Sequence, residues 1–315
     1  MKPKLLVIIG PTAVGKTKLS VELAKRFNGE IISGDSMQVY KGMDIGTAKI
    51  TEAEKEGIPH YLIDIKDPDE PFNVQEFQER ANEAIIDIHS RGKLPIIAGG
   101  TGLYIQSVIY DYQFSEAPTD PAYRKHLENR INAGEIDSVM DELRNIDPES
   151  AERIHPNNVR RVIRALEIYH CTGKTMTDQL LDQPKEMKYD TLLIGLTMER
   201  EKLYQRIDQR VDLMVEQGLV QEVREFYQQG LRDCQSIQAI GYKELYDYFD
   251  HKTSLNEALD ALKQNSRRYA KRQLTWFRNK MDVVWYDMTD TEGFAKKTEE
   301  ISAFIAGKLL IKANK

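Results

Sequence analysis

The amino-acid sequence predicts an α/β fold in which helices flank a parallel β-sheet and a small helical domain interrupts the chain. Apolar runs rich in β-branched residues alternate with helical segments in the N-terminal part, a pattern typical of parallel sheets. A glycine-containing loop joins the first apolar run to the first helix. A long helical stretch without an apolar run then separates two predicted strands.

The first predicted elements are a strand at residues 4–9, closed by Gly10, and a helix at 16–27. The helix places Leu19, Leu23 and Phe27 on one face. Further strands are predicted at 30–33, 60–65 and 94–98. A helix at 74–91 stops at Gly92, because glycine adopts the left-handed conformation that ends helices.

The pattern changes near residue 115. Residues 117–190 contain helical segments and no strand, so we predict an inserted helical domain there, acting as a lid, between core segments 1–116 and 191–315. In the second core segment, the sequence predicts a strand at 191–198, helices within 201–280, a last strand at 283–287 and a closing helix at 293–312.

The loop after the first strand matches the phosphate-binding pattern G-x-x-x-x-G-K-[ST], which indicates a P-loop NTPase-like core. Glycines let backbone N–H groups turn toward phosphate oxygens, and the helix N-terminus adds partial positive charge. Lysine neutralises phosphate, and the threonine hydroxyl can bind Mg²⁺. A glycine turn with a capping threonine is the alternative, which the strand–loop–helix context disfavours. The predicted phosphate-binding residues are Gly10, Thr12, Ala13, Val14, Gly15, Lys16 and Thr17.

The loop identifies the group that is bound but not the reaction. Most proteins with this loop hydrolyse or transfer a γ-phosphoryl group, and they usually carry an apolar strand that ends in aspartate. Here the strand at 94–98 is followed by Gly99, Gly100 and Thr101, and the strand ending near Asp64 is a weaker candidate. This pattern counts against an ordinary ATPase.

Asp35 follows the second strand and should lie at the ligand-binding edge of the sheet. Bound phosphates would repel a nearby carboxylate, so its presence there suggests a function. It could accept a proton or hold a magnesium-bound water. The alternative is a loop aspartate that caps the following turn. Position alone leaves both interpretations open.

Composition restricts the class of protein. The chain is 41% hydrophobic with two distant cysteines, Cys171 and Cys234, which favours a reducing cytoplasm, and no apolar run is long enough for a membrane span. The net charge is −6, yet residues 263–280 carry seven basic and no acidic residues, and residues 153–174 carry five basic residues against Glu167. Interleaved Tyr269, Trp276 and Phe277 suit unstacked nucleic acid bases, although solvated helix faces would show similar charge.

Six motifs in order make the chain resemble the bacterial tRNA dimethylallyltransferases, also called tRNA isopentenyltransferases. They are GPTAVGKT, GDSMQVY, AGGTGLY, IHPNNVRRVIRALE, AIGYKEL and KRQLTWFR, and they extend through essentially the whole chain. In that family the phosphate loop holds the diphosphate of dimethylallyl diphosphate, the leaving group. The acceptor is N6 of adenosine 37 in the anticodon loop of tRNA. The resemblance also implies Mg²⁺ and a monomer.

The resemblance implies roles for individual residues. Asp35 would be the general base, with Lys16 and Thr101 as the other catalytic residues; Thr17 would bind Mg²⁺, and Arg224 would contact the diphosphate. The residues that match tRNA-contacting segments are Asp35, Ser36, Met37, Gln38, Thr101, Arg124, Arg160, Arg161, Arg164, Gly241, Tyr242, Lys243, Lys271, Arg272, Gln273, Trp276 and Arg278.

Three other functions are consistent with parts of the sequence. A small-molecule kinase would use the same loop for ATP but has no need of the basic stretch at 263–280. An isopentenyltransferase acting on free adenine nucleotides would share the loop and Asp35, with little salt-dependent tRNA affinity. A non-catalytic RNA-binding protein would leave Lys16 and Asp35 without a purpose.

Overall fold

The computed structural model describes residues 2–114, 120–290 and 292–314. The chain divides into two compact units, one formed by Met1–Ile109 with Met187–Lys315 and the other by Tyr110–Glu186. The second unit thus begins and ends a few residues before the predicted insert at 117–190. The predicted start of the insert, at 116/117, falls outside the described residues. The helical character predicted for the insert is observed.

The first unit is built on a six-stranded sheet in which every pairing is parallel, with the strand order β3-β2-β4-β1-β5-β6. This confirms the predicted parallel sheet. The strands are β1 (Lys4–Ile9), β2 (Gly29–Gly34), β3 (His60–Tyr61), β4 (Leu94–Gly99), β5 (Asp190–Thr197) and β6 (Val284–Asp287).

The first unit also contains the helices that flank this sheet, and every element described in the second unit is a helix. The first unit begins with α1 (Lys16–Phe27), α2 (Glu52–Lys55), α3 (Val74–Ser90) and α4 (Gly102–Tyr110). The second unit consists of α5 (Pro121–Asn132), α6 (Ile136–Ile146), α7 (Pro148–Arg153), α8 (Val159–Thr172) and α9 (Met176–Leu181). The first unit continues with α10 (Arg200–Glu216), α11 (Leu219–Gln228), α12 (Tyr242–Phe249), α13 (Leu255–Lys280) and α14 (Phe294–Leu309). None of the helices in the described ranges is long and apolar enough to cross a lipid bilayer.

Strand β3 is shorter than the predicted strand at 60–65. It ends at Tyr61 because Leu62 and Asp64 adopt left-handed backbone conformations, with φ of 62° and 55°. Asp64 therefore does not end an apolar strand. Its carboxylate pairs instead with the buried ammonium of Lys49, at 2.5 Å.

The central strands are apolar because both faces of the sheet are covered. Leu5 to Ile9 of β1 are fully buried, as are Ile96 and Ile97 of β4. At the carboxyl edge, Gly34 of β2 stands directly opposite Gly99 of β4. Side chains that follow these two glycines are therefore brought together.

A buried carboxylate fixes the opposite end of β2. Glu30 is 1% exposed, and its two oxygens each accept a 2.6 Å hydrogen bond from the Arg91 guanidinium. Lys93 donates at 2.6 Å and the Tyr61 hydroxyl at 2.7 Å. The Arg91 guanidinium, followed by Lys93 and Tyr61, lowers the pKa of Glu30 to about 2.

We predict that Glu30→Gln lowers the free energy of unfolding at neutral pH by about 2 kcal/mol, because it leaves the cations without a buried partner. The pKa of Glu30 lies below its ordinary value of 4.5, so the ionised carboxylate stabilises the fold above that pH. This contribution disappears as the pH falls toward 2. Urea unfolding of both proteins should therefore show a stability gap that closes on acidification.

Glu79→Gln provides the matched control, since Glu79 is exposed and its one hydrogen bond within the described part of the chain is to Gln75 on its own helix. A stability gap for Glu30→Gln that stays constant between pH 7 and pH 3 would contradict the role assigned to the ionised carboxylate.

Candidate active site

The loops that follow β1 and β2 meet helices α10 and α13 around a cavity of about 310 Å³. Thr12 of the phosphate loop and Asp35 line it, as the predicted position of Asp35 at the sheet edge requires. The cationic lining residues are Arg210, Lys243 and Arg272, and apolar ones include Ile207, Val211, Met214 and Leu262. The cavity therefore joins an apolar wall to cations and a single carboxylate.

The phosphate loop has the backbone conformation that its glycines permit. Gly10 and Gly15 have φ of 152° and 105°, and Ala13 is also left-handed at 65°. A side chain on Gly10 would stand 2.7 Å from the backbone oxygen of Leu196. Thr17 lies exposed in the first turn of α1, as a phosphate or metal ligand must.

Lys16 folds back onto this loop. Its ammonium donates to the backbone oxygens of Gly10 and Pro11 at 2.9 and 2.7 Å. Burial, followed by the positive charge of Arg210, lowers the pKa of Lys16 to about 7, although Asp35 opposes this shift. Lys16 and Asp35 are thus close enough to influence each other, and a bound anion would restore the lysine's charge.

The two carboxylate oxygens of Asp35 have different surroundings. Oδ1 accepts hydrogen bonds from the backbone N–H groups of Met37 and Gln38, at 2.8 and 3.4 Å. Oδ2 has no hydrogen-bond partner among the described residues. The turn-capping interpretation is therefore correct for one oxygen, and the other stays available to a ligand in the cavity.

Thr101 ties the loop after β4 to the Asp35 loop. Its N–H donates to the backbone oxygen of Gly34 at 3.2 Å, and its hydroxyl accepts the N–H of Ser36 at 3.2 Å. Ser36 and Met37 both line the cavity. Asp35, Ser36 and Thr101 therefore lie together at the carboxyl edge of the sheet, where Asp35 was predicted.

Gln38 and Gln273, both predicted to touch tRNA, use their amides inside the protein. Gln38 accepts from the Ser33 hydroxyl at 3.0 Å, and its amino group contacts the backbone oxygens of residues 47 and 48. Gln273 is 5% exposed. It accepts the Thr12 N–H at 2.9 Å and donates to the Gly100 oxygen at 3.1 Å, which links α13 to the phosphate loop.

Trp276 is also directed toward the protein. A side chain on Gly102 would stand 2.2 Å from the Trp276 ring, so the glycine makes room for the indole. The indole Nε1 is buried without a hydrogen-bond partner among the described residues. The ring of Trp276, on α13, therefore packs against the start of α4 instead of standing free at the surface.

The predicted diphosphate ligand Arg224 lies elsewhere. It is exposed, and its guanidinium lies 5.5 Å from the centre of the Phe249 ring. Arg210 lines the cavity instead and forms no ion pair among the described residues. Burial lowers the pKa of Arg210, while the negative charge of Asp35 opposes the shift. The sequence carries a signal for Arg210, since this cation interrupts the apolar stripe of Ile207, Val211 and Met214 on α10.

The segment 241–243 contributes less surface than predicted. Gly241 is buried with φ of 102°, and Tyr242 is fully buried with its hydroxyl 2.5 Å from Glu222. The Tyr242 side chain therefore presents no surface to a ligand in this structure, and its contact with tRNA stays a prediction. Lys243 does line the cavity.

The basic stretch at 263–280 divides into two parts. Lys263 pairs with Asp212, and Arg267 pairs with Asp208, so these cations fasten α13 to α10. The exposed cations further along α13 form no ion pair within the described ranges, and Arg278 lies against the Trp285 ring. They are Arg268, Lys271, Arg272, Arg278 and Lys280. The solvated-face interpretation is therefore wrong for Lys263 and Arg267, and it stays open, beside nucleic-acid binding, for the exposed cations.

In the second unit, one buried carboxylate pairs with two arginines. Glu167 is fully buried and accepts from Arg124 at 2.8 Å and from Arg164 at 2.7 Å. Arg160 and Arg161 are exposed on the same helix as Arg164. The four predicted tRNA-binding arginines of this unit therefore lie on α5 and α8. Glu167 holds two of them, Arg124 and Arg164, in fixed orientations.

Comparison with known proteins identifies relatives over the whole chain. The family profile described as IPP transferase matches residues 38–280. The tRNA dimethylallyltransferase of Anoxybacillus flavithermus is 66% identical over 314 residues, covering all of both chains. That of Geobacillus thermodenitrificans is 63% identical with the same coverage.

Solved structures agree with these relatives. The tRNA isopentenylpyrophosphate transferase of Bacillus halodurans matches with a TM-score of 0.75 and 58% identity, covering 98% of this chain and 97% of that one. A eukaryotic dimethylallyltransferase described as acting on tRNA matches with a TM-score of 0.85 and 35% identity. The match covers 98% of this chain and 79% of the eukaryotic one.

We predict that inorganic diphosphate binding takes up a proton on Lys16. The free pKa is about 7, so the ammonium is mostly deprotonated above pH about 8, and a bound anion raises the pKa again. Titration calorimetry in buffers of different ionisation enthalpy should show uptake approaching one proton, and affinity should fall as the pH rises above about 7. Lys16→Met supplies the baseline for the ligand's own titration, and equal uptake by both proteins would contradict the assignment.

Proposed function

The chain belongs to the IPP transferase family and transfers a dimethylallyl group to tRNA, and we propose that the donor is dimethylallyl diphosphate and the acceptor is N6 of adenosine 37 in the anticodon loop. One observation carries the proposal. Thr12 of the phosphate loop, the Arg210 guanidinium and the Asp35 carboxylate line the same cavity. An anion site and a base therefore face one space.

The donor's diphosphate binds to the cationic side of this cavity. The N–H groups of the phosphate loop and the N-terminus of α1 form an anion cradle. Lys16 is next to Asp35 and Arg210, whose charges both act on it. The apolar side chains of α10, with Leu262 of α13, offer a dry surface for the five-carbon group.

The acceptor nitrogen is a poor nucleophile unless a base removes its proton, because the lone pair of an adenine N6 is delocalised into the ring. In the proposed reaction N6 attacks C1 of the dimethylallyl group and the C1–O bond breaks. Its electron pair leaves with the diphosphate. Asp35 Oδ2 takes the N6 proton. Arg210, Lys16 and the loop amides stabilise the charge that builds up on the leaving diphosphate.

The residues present suit a magnesium ion only together with the diphosphate. The described residues contain no group of three or more acidic, histidine or cysteine side chains arranged to bind a metal. The exposed Thr17 hydroxyl fits the usual pattern in which Mg²⁺ takes few protein ligands and several from substrate phosphates and water. When bound there, the ion would supply further charge neutralisation for the leaving group.

The tRNA contacts follow from the exposed cations. Lys271, Arg272 and Arg278 project from α13, and Arg160 and Arg161 from α8. Phosphate contacts from these residues would offset the few kcal/mol needed to unstack the target base. We also propose that the enzyme acts as a cytoplasmic monomer, with the second unit closing over the anticodon arm.

The direct test is incubation of the purified protein with dimethylallyl diphosphate, Mg²⁺ and an anticodon stem-loop, followed by mass analysis of the nucleosides. Adenosine 37 should gain one five-carbon unit. A stem-loop with another nucleoside at this position supplies the control. Transfer of a γ-phosphoryl group from ATP, without prenylation, would favour the kinase alternative.

Asp35→Asn separates the two tasks of Asp35, because its amide oxygen still caps the turn while the basic oxygen is lost. We expect transfer to fall by about 10²- to 10⁴-fold, with donor binding retained. Single-turnover prenylation of the stem-loop measures the effect. A near wild-type rate in Asp35→Asn would show that Asp35 is not the base.

Arg210→Gln and Arg224→Gln distinguish the structural assignment of the diphosphate ligand from the sequence-based one. We expect Arg210→Gln to raise the KM for the donor about 10- to 100-fold, since a charge-assisted contact is removed from the cavity. Arg224→Gln should change it less than about threefold. The reverse order in steady-state kinetics would restore Arg224 as the ligand.

A further inference from the structure

We propose that Glu222 is a positioning residue that, together with Tyr242, clamps the segment 44–46 and so fixes the wall of the donor-binding cavity. This inference rests on the proposed function, because it assigns the affected space to the dimethylallyl group. Glu222 and Tyr242 lie on α11 and α12, outside the phosphate loop and apart from the Asp35 loop. Glu222 lines no part of the cavity itself.

The carboxylate of Glu222 accepts four hydrogen bonds. Oε2 of Glu222 accepts the N–H groups of Asp44 and Ile45 at 3.0 and 2.7 Å. Oε1 accepts the N–H of Gly46 at 2.9 Å and the hydroxyl of Tyr242 at 2.5 Å. Three consecutive backbone N–H groups therefore converge on one side chain, and hydrogen bonds to a charged group are the stronger kind.

Tyr242 completes the clamp by packing as well as by hydrogen bonding. A side chain on Gly46 would stand 2.5 Å from the Tyr242 ring, so the glycine lets the backbone pack against the hydroxyl end of the ring. Burial and the Glu222 carboxylate raise the pKa of Tyr242, which keeps its hydroxyl a donor. The ring is fully buried, and the Phe226 ring lies 6.0 Å from it, centre to centre.

The clamped segment leads directly into the cavity. Gly46 and the next two residues, Thr47 and Ala48, line it, as do apolar side chains of α10. Ile45 lies beside Gly218, at the turn between α10 and α11. A looser segment would therefore change the shape of the cavity that Val211 and Met214 also line, where the five-carbon group is expected.

Other contacts hold the ends of the segment, so loss of the clamp loosens its middle without unfolding it. Lys49 donates to the Tyr40 oxygen at 2.8 Å and pairs with Asp44 and Asp64. The Thr47 hydroxyl donates to the Met43 oxygen at 2.6 Å. These bonds do not depend on Glu222.

The test is steady-state prenylation of an anticodon stem-loop by Glu222→Gln. An amide has one acceptor oxygen for four donors, so we expect the KM for dimethylallyl diphosphate to rise roughly tenfold. The kcat and the KM for the stem-loop should stay within about threefold, because the reacting groups and the cations are untouched. Tyr242→Phe keeps the ring on Gly46 and removes one donor, so its effect should be smaller.

The double variant should be no worse than Glu222→Gln alone, since both changes act on one contact. Glu225→Gln on the same helix is the matched control, because Glu225 is exposed and, among the described residues, bonds only to Gln221. An unchanged donor KM in Glu222→Gln, or a loss confined to kcat, would overturn the proposal. If the wild-type protein transferred no five-carbon group, the proposed function itself would fail.

Discussion

The close approach of two glycines at the carboxyl edge of the sheet is the constraint on which the site depends. A side chain on Gly99 would stand 2.2 Å from the Gly34 backbone oxygen, so β2 and β4 can end side by side only without one. That approach lets the Thr101 N–H reach Gly34 and the Thr101 hydroxyl reach Ser36. The loop bearing Asp35 is thereby fixed against the loop after β4. Asp35, the proposed general base, and Thr12 of the phosphate loop then line one cavity.

Helix α13 gives that cavity its second side. Gln273 faces inward and bonds to both the phosphate loop and the Gly100 oxygen, while Lys271 on the same helix is exposed. Tyr269 and Arg272 line the cavity from the same helix. One helix therefore carries both exposed cations and part of the cavity wall. In the proposed function, tRNA and the prenyl donor would meet along this helix.

Much of this was accessible from the sequence because the signals are local. The strands at 4–9 and 94–98, the phosphate loop and the position of Asp35 follow from apolar runs and glycine spacing, and the structure agrees with them. Contacts between distant segments were not accessible. Gln273, Tyr242 and Gln38 match tRNA-contacting segments, yet their side chains form hydrogen bonds with distant parts of the protein. The choice between Arg210 and Arg224 likewise depends on which helix face meets the loops, and motif order does not encode this. The predicted strand at 60–65 was too long because the left-handed residues that end β3, Leu62 and Asp64, are not glycines and so give no sign of a break.

The pairing of α13 with α10 changes how the enzyme's electrostatics should be counted. Residues 263–280 hold seven cations, but Lys263 and Arg267 are already neutralised by Asp212 and Asp208. Only the other five can displace counterions condensed on a nucleic acid, and each that does so adds about one unit to the slope of log affinity against log salt. The basic stretch therefore has a smaller ionic footprint than its composition indicates. This suits a modifying enzyme that must release its tRNA after each turnover.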